Sequence, residues 1–222
     1  VSGLDGHNGF RLDGANAVSD AGDVNGDGFG DVIIGDSYAG QNGEYSGSSF
    51  VVFGRASGFD AQMDLSSLDG RNGFRLDGEH GDDFSGKAVS GAGDVNGDGL
   101  DDVIVGAWGA STNGDRSGSS YVIFGKASGF DASMNLSSLD GQNGFRLDGA
   151  DAYDFSGQSV NNVGDVNGDG FSDVIVETSG VSSYVVFGKA GGFDAQLDLL
   201  NMDGGAQRII DLLLAGRALQ FG

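Results

Sequence analysis

Cysteine and proline are both absent from the 222 residues of this chain. Without cysteine there is no disulfide framework and no thiolate ligand for zinc or copper. Without proline, turns and strand ends fall to glycine, asparagine and aspartate, and glycine alone supplies 44 residues. Basic residues are scarce, 11 Lys and Arg against 33 Asp and Glu, for a net charge of −22. Nothing in such a chain neutralises phosphate, so nucleic acid is not an expected partner. No apolar run approaches the roughly 18 residues of a membrane span, so membrane insertion is not expected. Histidine is limited to His7 and His80. His7 stands at a turn where internal copies carry Arg71 and Gln142, and His80 falls in a polar loop. Neither has a repeated nucleophile beside it, and no Gly-Lys-Ser/Thr phosphate loop occurs, so no catalytic residue, organic cofactor or enzymatic activity is expected. An acidic, glycine-rich chain raises the question of disorder. The 15 Phe, 5 Tyr and recurring β-branched runs answer it in favour of a packed fold.

What the chain does have is one hexapeptide three times. Asp-Val-Asn-Gly-Asp-Gly begins at Asp23, Asp94 and Asp165, and each copy runs on to a further aspartate. Oxygen-bearing side chains occupy positions 1, 3, 5 and 9: Asp23, Asn25, Asp27 and Asp31; Asp94, Asn96, Asp98 and Asp102; Asp165, Asn167, Asp169 and Asp173. Position 7, which is Phe29, Leu100 or Phe171, can add a backbone carbonyl, and glycine at position 6 permits the sharp turn. Alternating oxygens of this kind wrap a hard cation. Three carboxylates with no sulfur or imidazole favour calcium, about three ions per chain, over zinc or copper, and magnesium is the weaker fit. One copy alone would be ordinary turn chemistry; three at identical spacing are not. Position 12 is Ile34, Val105 or Val176 rather than glutamate, so the loop is not an EF-hand. It opens instead into Asp-Val-Ile runs that read as strands, which puts the metal in a strand-to-strand turn.

The hexapeptides are 71 residues apart, twice over. Around each lie an alternating Phe-Arg-Leu segment, an Ala-Val-Ser or Ser-Val-Asn segment, the Asp-Val-Ile run, and a Val-Val-Phe-Gly or Val-Ile-Phe-Gly run followed by Gly-Phe-Asp-Ala. Four short strands per unit, repeated in tandem, is the signature of propeller blades. The expected fold is all-β, a single propeller-type domain over 1–222 with four-stranded antiparallel repeats at about 15–78, 79–149 and 150–213 and an unassigned tail at 214–222. Two units are trimmed. Unit one lacks about seven residues around the Gly-Asp-Asp-Phe-Ser-Gly segment at 81–86. Unit three shortens its other loop and carries Glu177-Thr178 in place of Gly106-Ala107. In the tail, Arg208-Ile-Ile-Asp reads as an outer strand near 208–213, with a short helix presenting Ile209, Ile210, Leu213 and Leu214 as the alternative.

These units resemble FG-GAP repeats, the blades of the integrin α-subunit propeller and of many bacterial secreted or surface proteins. The resemblance rests on Phe84-Ser-Gly-Lys-Ala-Val-Ser before the metal loop, Asp94-Val-Asn-Gly-Asp-Gly-Leu-Asp-Asp-Val-Ile-Val-Gly-Ala through it, and Gly118-Ser-Ser-Tyr-Val-Ile-Phe-Gly after it. It covers about residues 4–205. It implies structural calcium between the first and second strands of each blade, and a ligand face on the opposite rim at Asp36–Gly47, Ala107–Gly118 and Thr178–Val181. Tyr38, Tyr45 and Trp108 in those loops can stack on a sugar or a protein, or simply pack. The expected function is therefore a calcium-binding, extracellular or cell-surface module for adhesion or for recognition of a protein or glycan ligand. The alternative is a non-catalytic propeller domain detached from a larger secreted enzyme or repeat toxin. Closed propellers need roughly four to eight blades. Three imply further blades in a longer chain, the expectation favoured by the mid-repeat start, or self-association. Metal affinity is expected in the weak range of extracellular modules, about 10⁻⁴ to 10⁻³ M.

Overall fold

A computed structural model describes residues 3–179, 182–200 and 206–208. Sixteen short strands follow one another: β1 (Arg11–Leu12), β2 (Ala17–Gly22), β3 (Asp31–Asp36), β4 (Ser48–Val52), β5 (Gln62–Met63), β6 (Gly73–Asp77), β7 (Ala88–Gly93), β8 (Asp102–Ala107), β9 (Ser119–Ile123), β10 (Ser133–Asn135), β11 (Gly144–Asp148), β12 (Ser159–Gly164), β13 (Asp173–Glu177), β14 (Ser183–Val186), β15 (Gln196–Asp198) and β16 (Ala206–Arg208). The helical content of the described residues is two single 3-10 turns, Leu65–Ser67 and Leu136–Ser138. The all-β expectation holds.

Three antiparallel sheets run β2-β3-β4-β6, β7-β8-β9-β11 and β12-β13-β14-β16. Each meanders outward from its first strand, because short strands rich in β-branched side chains, paired over three to five residues, alternate with turns rich in positive-φ glycine. β16 pairs with β14 at Ala206–Arg208. The rest of the proposed outer strand and the helix alternative, at 209–222, lie outside the described residues.

One element escaped the sequence reading. β10 adds in parallel to the outer edge of β6, and β15 adds in the same way to β11. The outer edges of the first two sheets are thus sealed by the unit that follows each of them. β5 does the same to β1, so β1 holds the outer-strand place of a sheet preceding the first.

The first strands pack side by side, β2 against β7 and β7 against β12. Two cores lie between consecutive sheets. One gathers Ile33, Val51 and Phe74 with Val89, Val105 and Ile123, and the other repeats it with Ile104, Val122, Phe145, Val160, Val176 and Tyr184. A third, smaller one packs Phe10 and Leu12 on Ile34, Val52 and Met63. Aromatic clasps recur at the outer side. Phe74 stacks on Phe130 at 4.1 Å and 3°, Phe145 on Phe193 at 4.4 Å and 3°, and Phe10 on Phe59 at 4.1 Å and 17°. A cation covers each clasp: Arg55 over Phe59, Lys126 over Phe130 and Lys189 over Phe193, all within 5 Å of the ring centroid. The phenylalanines of the repeated Gly-Phe-Asp-Ala segments are therefore joints between units.

Candidate metal centres and the opposite rim

Each hexapeptide forms the tip of the hairpin between the first and second strands of its sheet: β2–β3, β7–β8 and β12–β13. The first strand bulges as it enters the tip, with Gly22, Gly93 and Gly164 at φ 73, 67 and 69°. A glycine at positive φ re-aims the strand there at no steric cost. Position 6 is also left-handed, Gly28 at 88°, Gly99 at 87° and Gly170 at 93°, as the turn demands.

Inside each tip the side chains face their own backbone. Asp94 Oδ1 accepts from Asp98 N at 3.0 Å and its Oδ2 accepts from Gly99 N at 2.9 Å. Asn96 Oδ1 accepts from Asp98 N, and Asp98 Oδ1 from Leu100 N. The other tips repeat these bonds through Asp23, Asn25 and Asp27 and through Asp165, Asn167 and Asp169. The carboxyl group of Asp165 lies below the ordinary carboxylate range, chiefly because Gly170 N–H donates to it. Asp31, Asp102 and Asp173 at position 9 are buried at the base. Each accepts one amide from its own loop, from Val24, Val95 or Val166, and one from the end of the third strand, at Gly54, Gly125 or Gly188. Burial pushes Asp31 up to about 6 and Asp102 up to about 8, against the pull of those amides; the charges at positions 1 and 5 push the same way. Among the described residues, no three acidic or histidine side chains converge on one point as ion ligands. What the tip does hold is an all-oxygen donor set, a buried carboxylate and mutual repulsion, a combination that suits a hard divalent cation.

Asp102 also has a purely structural role. Asp102→Asn turns an NH₂ group toward the Val95 or Gly125 amide. The expected cost is about 1–3 kcal/mol, read as a lower denaturation midpoint in chelator-treated protein.

Neighbouring tips are tied directly. Asp23 N donates to Asp101 Oδ2 at 2.8 Å, Asp101 N to Asp23 O, and Ser172 N to Asp94 O. Leu100 lies over Gly26, and the Phe171 ring lies over Gly97, where no Cβ fits. The phenylalanine or leucine at position 7 therefore packs on the preceding tip. Sequence reading assigned it only a carbonyl, since a single apolar residue in a polar loop carries no period.

The other ends of the hairpins, 36–47, 107–118 and 178–179 with 182, form the opposite rim; Gly180 and Val181 lie outside the described residues. An aromatic row crosses this rim. Tyr45 stacks on Phe84 at 5.6 Å, Phe84 on Trp108 at 4.9 Å, and Trp108 tilts toward Phe155 at 5.6 Å. Tyr38 meets Tyr45 edge-on, and Arg116 sits over Trp108. Tyr45, Asp82, Phe84, Arg116, Tyr153 and Phe155 all hold positive φ between 51 and 64°, all on this rim. Such strain in non-glycine residues persists only where surrounding structure imposes it, and it concentrates at functional sites. Below the row, Glu79 pairs with Arg146 at 3.2 Å, and Arg146 with Asp148 at 2.7 Å. Tyr38, Tyr45 and Trp108 were legible as loop aromatics; Phe84 and Phe155, which link them, were not. His80 is exposed at this rim, 3.7 Å from Asp83, and His7 lies at an exposed turn.

The FG-GAP repeat family model matches residues 85–123, the span from the end of the 79–86 loop through the second hairpin tip to β9. The chain therefore carries an FG-GAP repeat. Integrin alpha pat-2 of Caenorhabditis elegans is 36% identical over 111 residues, half of this chain and 8% of that protein. Its Caenorhabditis briggsae counterpart is 34% identical over 113 residues. Integrin alpha-4 of Xenopus laevis is 30% identical over 159 residues, 70% of this chain and 13% of that protein. The FG-GAP chain thus spans about a tenth of the length of these relatives.

Proposed function

We propose that this FG-GAP chain is a calcium-binding module for adhesion or for recognition of a protein or glycan, working outside the cytoplasm. The observation that carries the reading is the row of three hairpin tips with one donor set each, tied to one another by backbone bonds along a single rim. Asp, Asn, Asp and Asp at positions 1, 3, 5 and 9, with the carbonyl of Phe29, Leu100 or Phe171, would hold one ion per tip. The ion supplies positive charge where carboxylates repel, and so fixes the tip. The likeness to integrin alpha chains supports an adhesion-type role. The aromatic row on the opposite rim supports that face as the ligand surface, since rigid rings bury large area at low entropic cost.

Titration calorimetry with calcium chloride tests this. The expected stoichiometry approaches three, with magnesium weaker. Asp27→Ala, Asp98→Ala and Asp169→Ala change exposed side chains, and each removes one site. Absence of saturable heat in the wild-type chain, or unchanged stoichiometry in the triple variant, rejects the reading.

A further inference from the structure

A cavity of about 620 Å³ opens on the opposite rim, between the 79–83 segment and the β8–β9 loop. Small-molecule pockets fall in the range of roughly 300–1,000 Å³. All of its lining lies between Glu79 and Arg146. β9 brings Tyr121 to the floor, and β11 sets Arg146 beside it as its register partner. The repeat does not require the polar groups found there. Phe50 holds the place of Tyr121 in the first sheet, paired with Arg75 as Tyr121 is with Arg146. The ring is therefore structural and the hydroxyl is an addition. At the next joint Ala150 holds the place of Glu79 and Tyr153 that of Asp82. Those carboxylates are additions too.

Two of these groups lack partners. Tyr121 is 1% exposed, yet its hydroxyl borders the cavity and bonds to no described residue. Burial, then the charges of Glu79 and Asp83, hold its proton on well above the ordinary phenol range, so it stands ready as a donor. Asp83 is buried and accepts one amide through Oδ2, from His80 N at 2.9 Å. Its Oδ1 has no partner among the described residues, and burial raises its carboxyl above the ordinary range. Arg146 is the opposite case. Its Nη1 donates to Glu79 at 3.2 Å, and its Nε and Nη2 donate to Asp148 at 2.7 and 3.0 Å. A buried polar group left unpaired is costly. Two of them turned toward one cavity call for an occupant rich in hydroxyl donors and acceptors.

Charge narrows the class. Glu79, Asp82, Asp83 and Asp115 line the cavity and repel an anion. A cation has to compete with Arg146 for Glu79, and Arg116 lines the cavity as a like charge. No three acidic or histidine side chains among the described residues converge on one point, so the cavity is not a further ion site. A neutral polyol meets none of these obstacles. Neighbouring ring hydroxyls donate to a carboxylate and accept from a phenol. We propose that this cavity binds a neutral sugar residue of a glycan, with Tyr121 and Asp83 taking its ring hydroxyls and the Glu79–Arg146 pair holding the floor. The proposal rests on the reading of this rim as the ligand surface and gives that surface a ligand class.

An array of immobilised neutral, uronic-acid-bearing and amine-bearing oligosaccharides, probed with the labelled full chain in calcium chloride, tests the proposal. Neutral glycans are expected to bind and their acidic counterparts to stay blank. Tyr121→Phe and Glu79→Ala borrow the residues that Phe50 and Ala150 place at equivalent positions, so each keeps the wild-type circular dichroism. Each weakens calorimetric binding of the selected glycan about tenfold or more. Trp108→Ala, in the aromatic row outside the cavity, separates this proposal from the reading beneath it. Binding lost in Trp108→Ala but unchanged in the other two variants keeps the rim as the ligand surface and overturns the cavity. Binding unchanged in all three overturns both. A blank array, or capture of acidic or amine-bearing glycans alone, overturns the neutral sugar and leaves protein recognition by the rim standing.

Discussion

Saturating calcium raises the unfolding temperature of this chain by about 5–10 °C for each tip that couples to global unfolding, and excess chelator removes the gain. A ligand at 100 times its Kd stabilises the folded state by about 2.7 kcal/mol. With affinity near 10⁻⁴ M, millimolar to 10 mM calcium reaches that range. For a domain of this size about 1 kcal/mol moves the midpoint by roughly 2–4 °C. The tips couple to the fold because Asp31, Asp102 and Asp173 reach from the loop to the amide at the end of the third strand. A change at the tip is thereby felt across the hairpin. Asp98→Ala lowers the calcium gain by one site's worth and leaves the chelated midpoint little changed, since Asp98 lies at the exposed tip. Differential scanning calorimetry with calcium, with chelator and for the variant reads all three. Identical midpoints in calcium and chelator would falsify the metal assignment.

Phe145→Ala is the second large effect, about 3–5 kcal/mol of stability, as for other fully buried phenylalanines. Phe145 is fully buried, stacked on Phe193 and tilted against Phe124. It stands on the outer strand of the second sheet, while Phe193 comes from the segment between β14 and β15 of the third unit. Truncation therefore opens the clasp between units as well as a cavity in the core. Phe10→Ala, at the half-buried clasp beside β1, costs less. Urea denaturation of both variants, at equal protein concentration, gives the comparison; equal losses would show that the clasp at Phe145 joins nothing.

Much of this was legible in the sequence because the chain repeats. Asp23, Asp94 and Asp165 at equal spacing announced three hairpin tips, and the alternation around Phe74 and Phe145 announced outer strands. The parallel strands β5, β10 and β15 were not legible. Each is two or three residues long with a single apolar residue, and their pairing runs between units rather than within one. Glu177 looked like decay of the repeat. The structure gives its position a physical meaning, since Gly35 and Gly106 are required only where a following loop presses on them. The role of position 9 was half legible: its oxygens suggested a ligand, but its buried amide bonds depend on Gly54, Gly125 and Gly188, some 15 to 23 residues away.

The forward reach of β10 onto β6 and of β15 onto β11 has a bearing on synthesis and on evolution. The first two sheets, emerging from the ribosome, keep an unpaired outer edge until a further 58 residues (Asp77 to Asn135) or 50 residues (Asp148 to Asp198) have followed. Each module also brings its neighbour's seal with it. Duplicating or deleting a whole 71-residue period leaves every interior seam supplied, whereas a cut at any other phase strands an edge.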